Sequence, residues 1–269
     1  LTGEPGSAAS RVLHWGNARS SNDGRGADGQ GNLGVLPQFR VNATPVPVLE
    51  RRNVNGTLQA APVDRVCSMA ATSDRLLMIR ALDGFGSPTD CNPGSAKTVW
   101  VAGTVTQYSA DAVGVAVPVQ GLPGIPARLV AQQTTAQSSA GPMLVLTEDG
   151  RAFGWGTNIG NLFGLPTPAD TGHLGGNAAP QALPAAWGTV SDAAFSYVGL
   201  IVRRSDASAM VSGRNDGGEL GLGPQPSGTV NNGPLPLLAG AGVALDGVQA
   251  LVSSQAQVSL ALRQGRILA

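Results

Sequence analysis

The chain has little of nearly every residue type that catalysis or charge recognition draws on. Among its 269 residues there is one lysine, Lys97, two histidines, His14 and His173, two cysteines, Cys67 and Cys91, and only 13% of residues are charged. Two lone histidines form no cluster at metal-ligand spacing, and no Gly-x-Ser-x-Gly elbow or Gly-x-x-x-x-Gly-Lys phosphate cradle occurs. Neither a metal nor a cofactor is therefore expected, and the residues argue against an enzyme. Formal net charge is zero, so no overall positive field draws the molecule onto nucleic acid or an anionic membrane. No apolar run reaches the 18 residues of a membrane span, and the residues after Leu1 lack the basic and apolar character of a signal peptide.

Glycine (38 residues) and proline (19) are abundant, and 42% of the chain is hydrophobic. That balance favours short strands joined by tight turns around a substantial core, an all-β protein. The two cysteines leave two states open, one disulfide formed in an oxidising compartment or two buried free thiols. The polar, turn-like run Pro88-Thr89-Asp90-Cys91-Asn92-Pro93-Gly94 favours the disulfide, since a free thiol there would be exposed. The bond would close a loop of 24 positions, worth about 3 kcal/mol in the chain-entropy picture.

Self-similarity along the chain sets the architecture. One copy reads Arg151-Ala152-Phe153-Gly154-Trp155-Gly156-Thr157-Asn158, then Gly160-Asn161-Leu162-Phe163-Gly164 and a proline-rich loop. Another reads Val211-Ser212-Gly213-Arg214-Asn215, then Gly218-Glu219-Leu220-Gly221. The first carries Arg11 to Asn17, with Trp15-Gly16, and later Gly31-Asn32-Leu33-Gly34. A degraded copy is Val99-Trp100-Val101-Ala102-Gly103. The anchors Gly16, Gly103, Gly156 and Gly213 lie 87, 53 and 57 residues apart. The surplus in the first unit falls in two polar stretches, Ser20 to Gly31 and Arg51 to Ala61, and in Gly84 to Ser95; all three are expected to be loops on one face.

Before each anchor an apolar residue recurs at every second position: Leu77 and Ile79, Leu144 and Leu146, Leu200 and Val202, Leu260 and Leu262. This predicts strands buried on one face. Asp149-Gly150 and Gln264-Gly265 would supply the positive φ of the following hairpin turns, and Val243-Ala244-Leu245 reads as a further strand.

The pattern Arg-x-x-x-Trp-Gly-x-Asn followed by Gly-x-Leu-Gly resembles the repeat of the regulator of chromosome condensation family. The resemblance covers nearly the whole chain in four imperfect copies, and implies a β-propeller with blades of about 50–60 residues. The frame it gives is a linker over residues 1–10, repeats over about 11–97, 98–150, 151–208 and 209–265, and the start of another at 266–269. Departures accompany it: the histidine that family members often carry before the alternating strand is replaced by Arg75, Pro142, Val198 and Val258, and the tryptophan by Ala102 and Ser212. Arg266-Ile267-Leu268-Ala269 aligns with Arg11 to His14, which predicts a strand near each terminus.

Several residues are candidates for function. Asn22 to Asn32 carries carboxyl and amide oxygens but not the order of a calcium loop. Trp15-Gly16 and Trp155-Gly156 recur at one place in the repeat, which points to packing between sheets more than to ligand stacking. His14, next to Trp15, reads as structural. Trp187 stands outside the repeat position and is, with Arg51, Arg52 and His173, a candidate partner contact. These readings lead to a bacterial, secreted or surface-exposed protein-binding module, an adhesin-like tip or a scaffolding subunit whose partner is another protein, another copy or another subunit of a surface assembly. Two other classes stay open, a nucleotide-exchange or chromatin-type regulator like the family's founding member, and a glycan-active propeller working through paired carboxylates.

Overall fold

Short apolar runs punctuated by glycine can satisfy their backbone groups only by pairing with one another, and the chain consists of such pairs. The computed structural model describes residues 2–19, 39–72, 75–103, 116–132, 141–156, 158–165, 180–196, 199–215, 218, 220–223, 229–240, 242–253 and 259–268. Among them there is no α-helix, and every named strand pair is antiparallel. The chain divides into two compact units, residues 1–129 with 176–179 and residues 130–175 with 180–269.

In the first unit, β1 (Leu13–Arg19) pairs with β2 (Phe39–Pro47). Next, β3 (Leu49–Val54) and β4 (Thr57–Pro62) form a hairpin whose turn residues Asn55 and Gly56 have φ of 52° and 83°. Arg51 to Ala61 is thus not a loop but a tight hairpin, because Asn-Gly supplies the two left-handed positions such a turn needs. A four-stranded sheet follows in the order β5 (Val66–Ala71), β6 (Arg75–Arg80), β7 (Thr98–Gly103) and β8 (Val117–Pro118). Val12, Val48, Val63, Val66, Met78, Ala102 and Ala116 form a core cluster in this unit. Residues 2–10 are not a linker. Thr2 bridges Arg11, the Gly6 N–H donates to the Val66 carbonyl at 3.0 Å, the Arg65 N–H to Ser7 at 3.1 Å, and the Val66 N–H to the buried Ser10 hydroxyl at 2.9 Å.

The second unit, whose boundary at residue 130 falls inside its first strand, repeats one plan. One sheet holds β9 (Pro126–Ala131), β10 (Met143–Thr147), β11 (Ala152–Trp155) and β12 (Gln181–Ala182). The next holds β13 (Val190–Ser196), β14 (Gly199–Arg204), β15 (Ala209–Arg214) and β16 (Val230–Pro236). A three-stranded sheet follows with β17 (Val248–Ser253), β18 (Ser259–Arg263) and β19 (Arg266–Leu268). The alternating runs are strands in every case. However, Met143 to Leu146 and Leu200 to Val202 are buried on both faces rather than one, as expected of a sheet packed between layers. The sequence repeat is out of phase with these sheets: Arg151 immediately precedes the third strand of one sheet, and Arg266 begins the third strand of another. Val243 to Leu245 make only an isolated bridge, Ala244 to Leu238, so the next strand starts later, at Val248.

The hairpin turns explain the Asp-Gly and Gln-Gly pairs. Gly150 has φ of 79°, while Gln264 and Gly265 have 49° and 73°. At the first turn, side-chain hydrogen bonds from Arg151 and Thr147 hold the Asp149 carboxyl down to about 2. Successive sheets are tied at these turns, since the first strand of one sheet donates back to the turn of the sheet before: Val190 N–H to Gly150 at 2.7 Å and Val248 N–H to Ala207 at 2.9 Å.

Gly156 has φ of 93°, and a Cβ there would lie 2.5 Å from the Gly141 carbonyl oxygen. Gly156→Ala is expected to cost about 2–4 kcal/mol in urea unfolding. Gly265→Ala, also at positive φ but with open space around the new methyl, is expected to cost only about 1 kcal/mol.

Candidate functional site

The repeat signature builds a loop after the third strand. In the third copy, Gly156 at positive φ turns the chain out of β11, and the buried Asn158 side chain accepts from the Phe163 N–H at 3.2 Å. In the fourth copy, Gly213 has φ of 121° and the Asn215 side chain accepts from the Leu220 N–H at 2.8 Å. The loops close on Gly164 and Gly221, with φ of 64° and 62°. Superposing these features sets Phe163, not Leu162, in the place of Leu220, and Asn161 (φ 54°) in the place of Gly218 (φ 83°). An asparagine there tolerates the left-handed conformation that glycine supplies elsewhere. Leu162, Phe163 and Leu220 are all buried, as is Trp155.

Trp187 belongs to the same construction and is not a partner contact. It sits in a 3-10 turn, Ala185–Trp187, and is 1% exposed. Its indole N–H donates to the Phe163 carbonyl at 2.9 Å, and it packs with Leu162, Phe163 and Phe195. Ser212, where another copy has tryptophan, holds this loop too, its hydroxyl 3.1 Å from the Asn161 carbonyl and 3.0 Å from that of Asn231. At the equivalent place in the third copy the buried Trp155 indole N–H has no hydrogen-bond partner among the described residues, so there the position serves by packing alone.

In the first unit a charge network is buried beneath the β3–β4 hairpin. Arg80 at the end of β6 is 1% exposed. It meets Glu50 with both terminal nitrogens at 2.6 and 2.9 Å, the Asp64 carboxylate at 2.9 Å and, through Nε, the Asp64 carbonyl at 2.8 Å. Its guanidinium carbon lies 4.3 Å from the centre of the Trp100 ring. Arg52, offered by the sequence as a partner contact, instead pairs with Glu50 at 2.5 Å and Asp64 at 2.8 Å. Burial raises the Asp64 pKa, but the hydrogen bonds and charges of Arg52 and Arg80 outweigh it and leave the carboxyl below its ordinary value. Two carboxylates and two guanidiniums balance here, an arrangement suited to fixing strands rather than to moving protons. Arg51 lies on β3.

The insertion between β6 and β7 is an ordered loop. Leu82 bridges Pro88, and the Asp83 N–H donates to the Ser87 carbonyl at 2.9 Å. One carboxylate oxygen of Asp83 accepts from the N–H groups of Phe85 at 2.9 Å and Ser87 at 2.7 Å. Farther on, the Asp90 carboxylate accepts from the Asn92 N–H at 2.8 Å. The ammonium of Lys97 donates to the Asn92 carbonyl at 2.9 Å. Cys91 in this loop is bonded to Cys67 on β5, and a Cβ on Gly6 would lie 2.5 Å from the Cys91 sulfur, so the N-terminal segment packs directly on the bridge. At the tip, Phe85 is 98% exposed. Neither Phe85 nor Arg80, Glu50 and Asp64 emerged from the sequence reading; the Asp-Gly-Phe-Gly run was the available signal for the first.

Of the remaining candidates, Gly103 ends β7 opposite Arg75, and His14, Trp15 and Gly16 lie on β1, with the register shifting between His14 and Gly16. Leu33, Gly34, His173 and the Asn22 to Asn32 stretch lie outside the described residues. Among the described residues no group of three or more His, Cys, Asp or Glu could hold a metal ion, and no helix is long and apolar enough to cross a membrane.

These features define an all-β repeat protein of the propeller class, in which the loop after β11 links its sheet to the next within the second unit. No family model matches the chain, and no curated protein matches it in sequence. Solved structures do. Prp20p from Saccharomyces cerevisiae is 14% identical over 91% of this chain and 62% of its own, with a TM-score of 0.50. Human WBSCR16 is 16% identical over 92% of this chain and 68% of its own, TM-score 0.51. Yeast RCC1 (Prp20), solved with Kap60, is 15% identical over 96% of this chain and 64% of its own, TM-score 0.50. The fold is thus the RCC1-repeat β-propeller, and this chain spans about two thirds of the length of those neighbours.

Arg80→Met would leave Glu50 and Asp64 buried beside a single guanidinium, and is expected to destabilise the protein by about 3–5 kcal/mol, with partial recovery when Glu50→Gln is added; chemical unfolding measures both. The Asp64 carboxyl titrates below its unfolded value in the fold, so its stabilisation is complete above about pH 4 and is lost as pH falls through the lowered value. Urea midpoints should therefore drop as pH falls below about 4, and drop less in Asp64→Asn.

Proposed function

We propose that the chain is a protein-binding propeller module of a bacterial cell surface or secreted assembly, acting as a scaffolding subunit or adhesin-like tip and not as an enzyme. The observation that carries this reading is the loop between β6 and β7, bonded through Cys91 to Cys67 and presenting Phe85 to solvent. A disulfide that clasps an exposed loop suits an oxidising compartment, and an ordered, nearly uncharged loop tip suits recognition of another protein. Neighbours of the same fold support protein binding as a use of this architecture: Prp20p is described with binding to Gsp1p and histones, and yeast RCC1 is bound to Kap60.

Those neighbours also favour a second reading, a nucleotide-exchange or chromatin-type regulator. The zero net charge of the chain weighs against histone or nucleic-acid partners recognised through a charged face. The glycan-active reading draws no support from Glu50 and Asp64, whose oxygens are taken up by Arg80 and Arg52.

Thiol titration of the protein recovered from its own cells, under denaturing and non-reducing conditions, is expected to find no free cysteine. Two free thiols would remove the argument for export. Accelerated nucleotide release from a small GTPase on adding the purified chain would favour the regulator instead.

A further inference from the structure

The chain has five phenylalanines, and Phe153, Phe163 and Phe195 are buried at 5% exposure or less. Phe85 does the opposite, with 98% of its surface in water, where a benzyl group contributes nothing to folding. Its backbone is nevertheless held from several sides. The Asp83 carboxylate accepts from the N–H groups of both Phe85 and Ser87, the Gly86 N–H donates to the Asp83 carbonyl at 3.0 Å, and the Leu82–Pro88 bridge closes the base. A few residues on, Cys91 fastens the insertion to β5. A Cβ at Gly84 or Gly86 would meet nothing within 4 Å, so both sides of the ring are open to an approaching surface.

We infer that Phe85 is the anchor of a protein-docking site, inserting its ring into an uncharged apolar pocket of a folded partner. This inference rests on the protein-binding reading above and names the side chain and the partner chemistry. Three observations set that chemistry. The rim, Gly84, Gly86, Ser87 and Pro88, is exposed and uncharged. The nearest carboxylate, Asp83, turns one oxygen to the amides of Phe85 and Ser87 and is part of the loop's own scaffold, not the recognition group. The loop is ordered before binding, so docking immobilises little and the ring's burial goes into affinity; aromatic anchors in desolvated pockets dominate interfaces of this kind. A lipid surface fits less well. Lys97 is the only basic residue of the insertion, and one ring without a basic cluster or a second inserted group does not hold a protein on a bilayer.

The test uses the full chain, labelled and oxidised, with two probes: detergent-solubilised envelope proteins from the organism that makes it, and phosphatidylcholine vesicles. Saturable binding to the envelope proteins is expected, little changed between low and high salt. Phe85→Ser should weaken it by about ten- to thirty-fold and Phe85→Leu by less, while both variants keep the wild-type thermal midpoint because the side chain buries nothing. Unlabelled wild-type chain should compete where unlabelled Phe85→Ser does not. Equal binding by wild type and Phe85→Ser would overturn the anchor and leave the protein-binding reading standing. Binding to the vesicles that Phe85→Ser abolishes would overturn the protein pocket in favour of lipid. Absence of saturable protein binding by the wild type would overturn both readings.

Discussion

A buried asparagine amide closes the loop that follows the third strand of a sheet, and in the second unit the succession of sheets depends on it. The backbone must leave the strand and turn back within a few residues, burying N–H groups that no strand can partner. Asn158 and Asn215 meet that demand at Phe163 and Leu220, and the glycines before and after, Gly156 and Gly164 or Gly213 and Gly221, take the left-handed conformations the path requires. With the loop fixed, its carbonyls become acceptors for the next layer: the Trp187 indole takes that of Phe163, and the Ser212 hydroxyl that of Asn161. Packing between sheets is thereby directional as well as apolar, with Trp187 from outside the repeat position and Ser212 from within it each bonding to the same loop.

The first unit secures itself by other means. It holds a bidentate Arg80–Glu50 pair with Asp64 and Arg52 around it, and a disulfide between β5 and the long insertion. The ion network costs desolvation and returns geometry: Glu50 on β3, Asp64 after β4 and Arg80 on β6 are held in one register. The disulfide, with the N-terminal segment packed over it at Gly6, makes the insertion an extension of the sheet instead of a tether. That is why a loop rich in glycine, proline and serine can present a phenylalanine at a defined place.

The exposed aromatic residue Phe85 stands apart from the repeat. Repeated positions are spent on packing, and the insertion between β6 and β7, which has no counterpart among the described residues of the other sheets, carries the exposed aromatic group. Division of this sort is what a propeller scaffold allows, since strands and their loops fix one another and an added segment on one face leaves that arrangement alone.

The sequence by itself determined the all-β class, the repeat, the strands ahead of each anchor and the positive-φ turns at Asp149-Gly150 and Gln264-Gly265. These follow from two-residue alternation and from glycine's freedom at positive φ, both local properties. Only the tertiary structure decided which side chains face inward across sheets. Trp187 looked like a contact because it lies outside the repeat, yet its N–H reaches a carbonyl 24 residues away. Arg52 read as a partner contact, yet Glu50 and Asp64 converge on it; residues 2–10 looked like a linker, yet they bond to the start of β5. The register of Phe163 with Leu220 also needed φ values, since Asn161 does the work of a glycine. In each case the partner is distant along the chain, and the burial that selects it exists only once the sheets have assembled.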